Sequence, residues 1–177
     1  MRPIRLLLSA TIAMACYPLL AAEPKPEIQR DTGIAQAVGV AHTLRTIPEA
    51  CTRLEGVFTG VAAQPYKYDV LRTSPQCQPR ARFVDFVKAK PTAVAGWKLN
   101  DIIRVPNAGC ASQQAVVRVW RKPADNAPTL DGQGSARIYL QDAKEAVAAG
   151  KALPSITMYA AKMTVEGESC RQGAVEG

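Results

Sequence analysis

The chain has few of the residues that carry enzyme chemistry. His42 is the only histidine, and no serine stands in a Gly-x-Ser-x-Gly motif. Histidine is the side chain that most often acts as a general base near neutral pH. Because His42 has no catalytic partner in a motif and lies in an apolar stretch, we expect it to be structural or to face solvent. The sequence therefore predicts a protein that is not an enzyme.

Metal and cofactor motifs are missing as well. The chain has no Cys-x-x-Cys, and its one histidine lies outside any ligand-like spacing, so we expect no metal and no other cofactor. Lysine and arginine number 22 against 15 acidic residues, which gives a formal net charge of +7. This surplus favours anionic partners. No basic run is dense enough to mark nucleic acid binding, so we expect no nucleic acid partner.

The first 22 residues have the pattern of a secretory signal peptide. Arg2 and Arg5 supply a positive start, an apolar run follows, and small residues at 20–22 permit cleavage before Glu23. The apolar run is shorter than the roughly 20 residues of a spanning helix, so the mature chain should have no transmembrane segment. We expect a periplasmic or secreted protein. The alternative is cleavage before Cys16 and attachment of lipid to that cysteine.

Four cysteines remain after removal of the signal, and an even number in an exported chain favours two disulfides. They are Cys51, Cys77, Cys110 and Cys170. Hairpin geometry brings the first three to one end of the domain, and the last reaches that end if a helix carries the chain back across it. We favour the pairs Cys51–Cys77 and Cys110–Cys170, although four cysteines permit three pairings.

The mature chain is predicted to be mainly β, with a flexible leader at residues 23–30 and a single β-rich domain at residues 31–177. Short segments of alternating polarity are separated by turn residues, which is typical of a small antiparallel β-sandwich or barrel. The seven predicted strands are Leu54–Val61, Tyr66–Arg72, Arg82–Lys88, Lys98–Val105, Gln114–Arg121, Ala136–Gln141 and Ile156–Val165.

Helical patterns are few and short. Apolar residues after Asp31 fall at helical spacing as far as Leu44, with Asp31 placed to cap the first turn, although glycines in this stretch also allow a short strand. One or two helical turns are expected before Cys51, where Pro48 fits a first turn. The alanine-rich stretch Asp142–Lys151 predicts a short helix that ends at its glycine.

The stretch from Trp97 to Lys122 is predicted to be a β-hairpin with its turn near Gly109. In the register that satisfies both faces, one face is the core. Its predicted pairs are Leu99 with Val119, Asp101 with Val117 and Ile103 with Ala115. The opposite face, with a neighbouring strand, presents basic and aromatic side chains that bind partners effectively for their area. These candidate binding residues are Lys98, Arg104, Arg118, Trp120, Arg137 and Tyr139. The alternative is that a second sheet or the N-terminal segment covers this face, which would make Trp120 and Tyr139 core residues, and strand parity does not decide between the two.

Asp85 and Asp101 form the alternative candidate site, because each stands at an apolar position of its strand. If their strands pair, the two carboxylates approach each other, and paired carboxylates catalyse glycoside hydrolysis when burial raises one pKa. Solvated or neutralised aspartates are the structural alternative.

The resulting hypothesis is a non-enzymatic binding domain of the cell envelope that contacts a protein or an anionic envelope component through the strand face. The alternatives are a hydrolase of an envelope polymer that uses the aspartate pair, and a structural envelope protein that is lipid-anchored if Cys16 is retained.

Overall fold

A computed structural model describes residues 23–125, 145, 148–150, 156–168 and 170 of the chain. The structure is mainly β, as predicted. Its strands are β1 (His42–Ile47), β2 (Thr52–Phe58), β3 (Tyr66–Arg72), β4 (Ala81–Phe83), β5 (Lys98–Asn107), β6 (Cys110–Lys122) and β7 (Thr157–Gly167). A 3₁₀ turn at Pro48–Ala50 precedes β2, and one helical turn, α1 (Phe86–Ala89), follows β4.

The seven strands form two sheets. In the first sheet, β1, β2 and β3 are antiparallel neighbours in that order. The second sheet has the order β4-β7-β6-β5, in which β4 runs parallel to β7 and the other pairs are antiparallel. β4 and β5 are therefore the opposite edges of the second sheet.

The main hydrophobic core lies between the two sheets. Along β2, buried residues alternate with half-buried ones, as expected for a strand with one face on the core. Leu54 and Phe58 of β2 belong to the same buried cluster as Val117 and Val119 of β6. All four side chains are fully buried, and truncating such residues to alanine typically costs about 2–5 kcal/mol. The predicted β-sandwich is confirmed.

The β5–β6 hairpin is present, but its register differs from the prediction. Asp101 pairs with Val119 and Ile103 pairs with Val117, so each β5 residue lies opposite a partner two positions further along β6 than predicted. A shift of two residues leaves every side chain on its predicted face, because the side-chain period of a strand is two. Ile103 and Asp101 accordingly remain buried on the core side.

Leu99 is the exception to this agreement. The pairing shifts by one residue between Leu99 and Asp101, as at a β-bulge, and Leu99 lies opposite Trp120. The extra residue, Asn100, reverses the alternation, so Leu99 packs in a small separate cluster that includes Val116. The predictions that Leu99 belongs to the main core face and that Lys98 lies on the opposite face are therefore wrong, because Lys98 lies opposite Arg121, on the side of Val119.

The N-terminal segment, residues 23–36, extends beside β5, where a flexible leader and the start of a helix were predicted. Its backbone N–H groups donate to β5 carbonyls at distances of 2.7 to 3.0 Å. These bonds join Glu27 to Leu99, Ile28 to Asn100, Gly33 to Arg104 and Gln36 to Pro106. The predicted helix after Asp31 is absent, and its last residues belong to β1. Because these N–H groups are satisfied by carbonyls at the edge of β5, the segment can stay extended and does not need a helix to pair them.

Both favoured disulfides are present. Cys51 is bonded to Cys77 and Cys110 to Cys170, and the Cα atoms are 5.7 Å apart in each pair. The first closes a span of 26 residues and the second a span of 60, which on the chain-entropy model stabilises the fold by about 3.5 and about 4 kcal/mol.

The predicted strand Arg82–Lys88 ends early, and its second half is wrong. The Asp85 carboxylate accepts a hydrogen bond of 2.9 Å from the Lys88 backbone N–H, so Asp85 caps α1 instead of continuing β4. The predicted strand Ala136–Gln141 lies outside the described residues. Most of the predicted helix Asp142–Lys151 does too, although its residues Glu145 and Ala148 are helical.

Candidate functional site

Four of the six predicted binding residues are described, and all four lie on β5 and β6. We call Lys98, Arg104, Arg118 and Trp120 the basic strand surface. Arg137 and Tyr139 lie outside the described residues. Lys98 is exposed, whereas Arg104, Arg118 and Trp120 are half-buried. The basic strand surface is therefore only partly exposed to solvent.

Arg118 is held by acidic and polar neighbours on both sides. Its Nε donates a hydrogen bond to Glu23, its Nη2 donates to Glu166 at 3.1 Å and its Nη1 donates to the Thr164 hydroxyl at 3.1 Å. The hydrogen bond with Glu23 lowers the pKa of Glu23 and raises that of Arg118. Arg104 also lowers the pKa of Glu23 through its charge. The Glu23 carboxylate of the N-terminal segment is thus bound to this surface.

Glu27 repeats the arrangement four residues further along the segment. Its two carboxylate oxygens accept hydrogen bonds of 2.9 and 2.6 Å from Nε and Nη2 of Arg121, a bidentate pair. Asn100 donates to the same carboxylate at 2.8 Å, and the Lys98 ammonium is 3.9 Å away. The hydrogen bond from Arg121 is the largest cause of the lowered pKa of Glu27.

Trp120 and Arg104 differ in how many contacts they make with the rest of the protein. Trp120 packs against a cluster of Leu99, Ile102 and Val116, so part of its indole has a structural role. The Arg104 guanidinium forms no ion pair with any residue that the structure describes. Arg104 and Lys98 are therefore the members of the surface whose charges are least neutralised.

Asp101 is buried among guanidinium groups. Its carboxylate is fully buried and accepts hydrogen bonds of 2.9 and 2.6 Å from Arg30 and one of 3.1 Å from Arg45. This carboxylate joins the N-terminal segment, β1 and β5. Its position on the core side follows the sequence pattern, but its partners are Arg30 and Arg45, which no local pattern indicated.

The structure does not bring Asp85 and Asp101 together. Asp85 follows β4 and Asp101 belongs to β5, and these strands are the two edges of a four-stranded sheet. Three strand spacings separate such edges by about 14 Å. The expectation that their strands pair is wrong, because β7 and β6 lie between them. An acid and base pair built from these two side chains finds no support in this arrangement.

His42 lies against the core aromatic residues of the first sheet. Its Nε2 is 2.8 Å from the Tyr66 hydroxyl, and its ring stacks on Phe58 with centroids 6.4 Å apart. Burial raises the pKa of Tyr66, so its hydroxyl stays neutral. Gly56 leaves room for this hydroxyl, because a Cβ there would lie 1.7 Å from it. The contacts of His42 are those of a structural residue.

A cleft that no sequence pattern indicated opens at the other edge of the sandwich. It measures about 770 Å³ and lies between β3, the β4–α1 segment and β7. Because residues from three distant parts of the chain form it, no local spacing marks it. Asp85 is one of its lining residues, together with the lysines Lys90 and Lys162.

Within the described part of the chain, no three potential ligand side chains come together to hold a metal ion. No helix there is both long enough and apolar enough to cross a bilayer. Comparisons with family models, with curated proteins and with solved structures found no match to this chain. Its function must be inferred from its own residues and their geometry.

Proposed function

We propose that this protein is a non-enzymatic binding domain of the cell envelope, periplasmic or secreted, and that its basic strand surface contacts an anionic envelope component. The signal-like sequence at residues 1–22 supports export. The two disulfides support it independently, because disulfides persist in oxidising compartments outside the cytoplasm.

The contacts of Glu23 and Glu27 carry the proposal. Two carboxylates from the chain itself are bound beside the strand surface by Arg118 and Arg121. Such charge-assisted pairs match the geometry of carboxylate and phosphate groups. An anionic partner has the same chemistry as these glutamates, and Arg104 and Lys98 offer it additional positive charge. We therefore favour an anionic component over a neutral protein surface.

Removing Lys98 and Arg104 tests the proposal without disturbing the core. Binding of poly-L-glutamate, a soluble carboxylate polymer, should weaken about threefold to tenfold in a Lys98→Ala/Arg104→Ala variant, because exposed charge pairs are each worth up to about 1 kcal/mol. Calorimetric titration at low salt measures the affinity.

The matched control is Lys67→Ala/Lys88→Ala, which removes two positive charges from exposed positions on β3 and α1. If both double variants lose affinity equally, binding follows net charge alone and the strand surface is not the site. Neutral dextran should bind to neither variant nor to the unmodified protein.

The two alternatives have separate tests. A hydrolase that uses Asp85 and Asp101 would lose activity on an envelope polymer in an Asp85→Asn variant, which leaves the buried pairs of Asp101 intact. A lipid-anchored structural protein would retain Cys16, whereas the proposal expects the mature chain to begin at Glu23, which the mass of the exported protein decides.

A further inference from the structure

The cleft between β3, the β4–α1 segment and β7 is lined mainly by apolar side chains. Its apolar members are Val70, Phe83, Val84, Phe86, Val87, Pro91, Ala161 and Met163. Its volume of about 770 Å³ lies within the roughly 300–1,000 Å³ of small-molecule sites. The cleft therefore has the size and lining of a site for an apolar molecule or chain.

Two of the apolar side chains at the cleft are open to water. Val87 is 75% exposed and Val70 is 45% exposed. The hydroxyl of Tyr68, another lining residue, donates a hydrogen bond of 2.9 Å to the Ala161 carbonyl. This bond satisfies the hydroxyl and links β3 to β7. Covering this apolar surface with a hydrocarbon chain removes it from water, which is favourable in proportion to the area covered.

The charges at the cleft are predominantly positive. Lys90 and Lys162 line it and form no ion pair with any described residue. The Lys162 ammonium lies 5.8 Å from the centroid of the Phe86 ring, which keeps it beside the apolar lining. Asp85 is the one acidic residue of the lining, and its carboxylate already accepts the Lys88 N–H. Two ammonium groups thus border an apolar cavity.

We propose that this cleft binds an amphiphile with one hydrocarbon chain and a phosphate head group. The hydrocarbon chain covers Val70, Val87 and Met163, and the phosphate pairs with Lys90 and Lys162. Lysine ammonium groups bind phosphate as point charges, and the head group at the rim keeps its remaining hydration. Lys162 lies opposite Arg118 in the β6–β7 pairing, so the cleft adjoins the basic strand surface, but Lys98 and Arg104 of that surface lie on β5, at the far edge of the sheet.

Dodecyl phosphate is the probe that tests the proposal. Calorimetric titration of the purified protein below the critical micelle concentration should show saturable binding with one site. Inorganic phosphate should compete only at much higher concentration, since it has no chain to bury, and dodecyltrimethylammonium should bind more weakly because its head group is repelled. Shortening the chain by two methylenes that are buried should weaken binding about fifteenfold.

A pair of valine variants and a double lysine variant locate the binding site for the chain and for the head group. Val87→Asp should weaken dodecyl phosphate binding at least tenfold, whereas Val94→Asp should leave it unchanged. Both valines are exposed, at 75% and 101%, so neither substitution disturbs the core, but only Val87 lines the cleft. Lys90→Ala/Lys162→Ala should weaken dodecyl phosphate binding about threefold to tenfold without affecting a neutral dodecyl glycoside.

The contradicting results are equally specific. Equal losses for Val87→Asp and Val94→Asp, equal affinity for the cationic and anionic amphiphiles, or no saturable binding would each overturn the proposal. Saturation by an extended apolar peptide but not by dodecyl phosphate would show that the cleft binds protein. Lys98→Ala/Arg104→Ala should not change dodecyl phosphate binding, so failure of the strand-surface proposal and failure of this one are distinguishable.

Discussion

At the residue scale, Asp101 connects three parts of the molecule. Its side chain has no exposed surface, whereas Arg45 is 13% and Arg30 is 36% exposed. A buried carboxylate is costly unless charged partners and hydrogen bonds compensate it. Asp101 has both, from residues 71 and 56 positions away in sequence. The fold therefore depends on this carboxylate remaining paired.

Replacing Asp101 by asparagine should be strongly destabilising. The substitution keeps the shape but removes the charge that neutralises Arg30 and Arg45, so we expect a loss of about 3 kcal/mol in the free energy of unfolding. This is the low end of the range for buried pairs because Arg30 is partly exposed. Urea unfolding measures the change. Asp69→Asn on the exposed side of β3 is the control and should change stability by less than about 0.5 kcal/mol. Equal effects of the two substitutions would contradict this role.

The alternation of polar and apolar residues in β5 was enough to predict that Asp101 faces inward. It was not enough to predict what neutralises the side chain. Arg45 approaches from the other sheet and Arg30 from a segment whose sequence resembles a leader. Neither approach leaves a local signature, because both depend on how the two sheets and the N-terminal segment pack.

At the scale of elements, the N-terminal segment is bound to β5 by backbone hydrogen bonds and by its glutamates. The pKa values of Glu23 and Glu27 are lowered in the folded protein by their hydrogen bonds with arginines. Groups with lowered pKa values stabilise the fold when they are ionised, above their ordinary pKa of 4.5. That contribution is lost as the pH falls through the lowered values. Acid should therefore weaken the attachment of the segment.

Hydrogen exchange should detect this weakening. The backbone N–H groups of Glu27 and Ile28 donate to β5, and their protection factors should fall when the pH drops from 7 to below the lowered pKa values. A Glu23→Gln/Glu27→Gln variant should show the same loss already at pH 7. The N–H of Val117, within the β6 sheet pairing, is the internal control and should keep its protection. Undiminished protection of Ile28 in the variant would contradict the attachment by these carboxylates.

The strands also differ in how well the sequence predicts them. β3, β5 and β6 follow period-two patterns and were predicted within a few residues. The first residues of β1 fall in the stretch after Asp31, where the sequence allowed either a helix or a short strand because glycines and apolar residues fit both patterns. The pairing of β4 with β7 joins residues 81–83 to residues 157–159, and such non-local pairing is not encoded in either segment alone.

At the scale of the molecule, we propose that two surfaces bind partners. One is the basic strand surface, where Arg118 and the neighbouring Arg121 hold carboxylates from the same chain. The other is the apolar cleft with its two lysines. Strand parity alone placed Arg104 and Arg118 on one face, but the bulge at Asn100 puts Lys98 on the other. No local pattern indicated the cleft, and none decided whether the strand face was exposed.

The central claim is that the basic strand surface binds an anionic component, and Glu23 and Glu27 occupy part of it. The most direct test is the affinity of the Glu23→Gln/Glu27→Gln variant for poly-L-glutamate. We predict binding at least threefold tighter than that of the unmodified protein, because the competing carboxylates are gone. Glu49→Gln/Glu55→Gln, which changes the net charge equally at sites away from the surface, should bind less tightly than that variant. Equal affinities of the two double variants would contradict the claim.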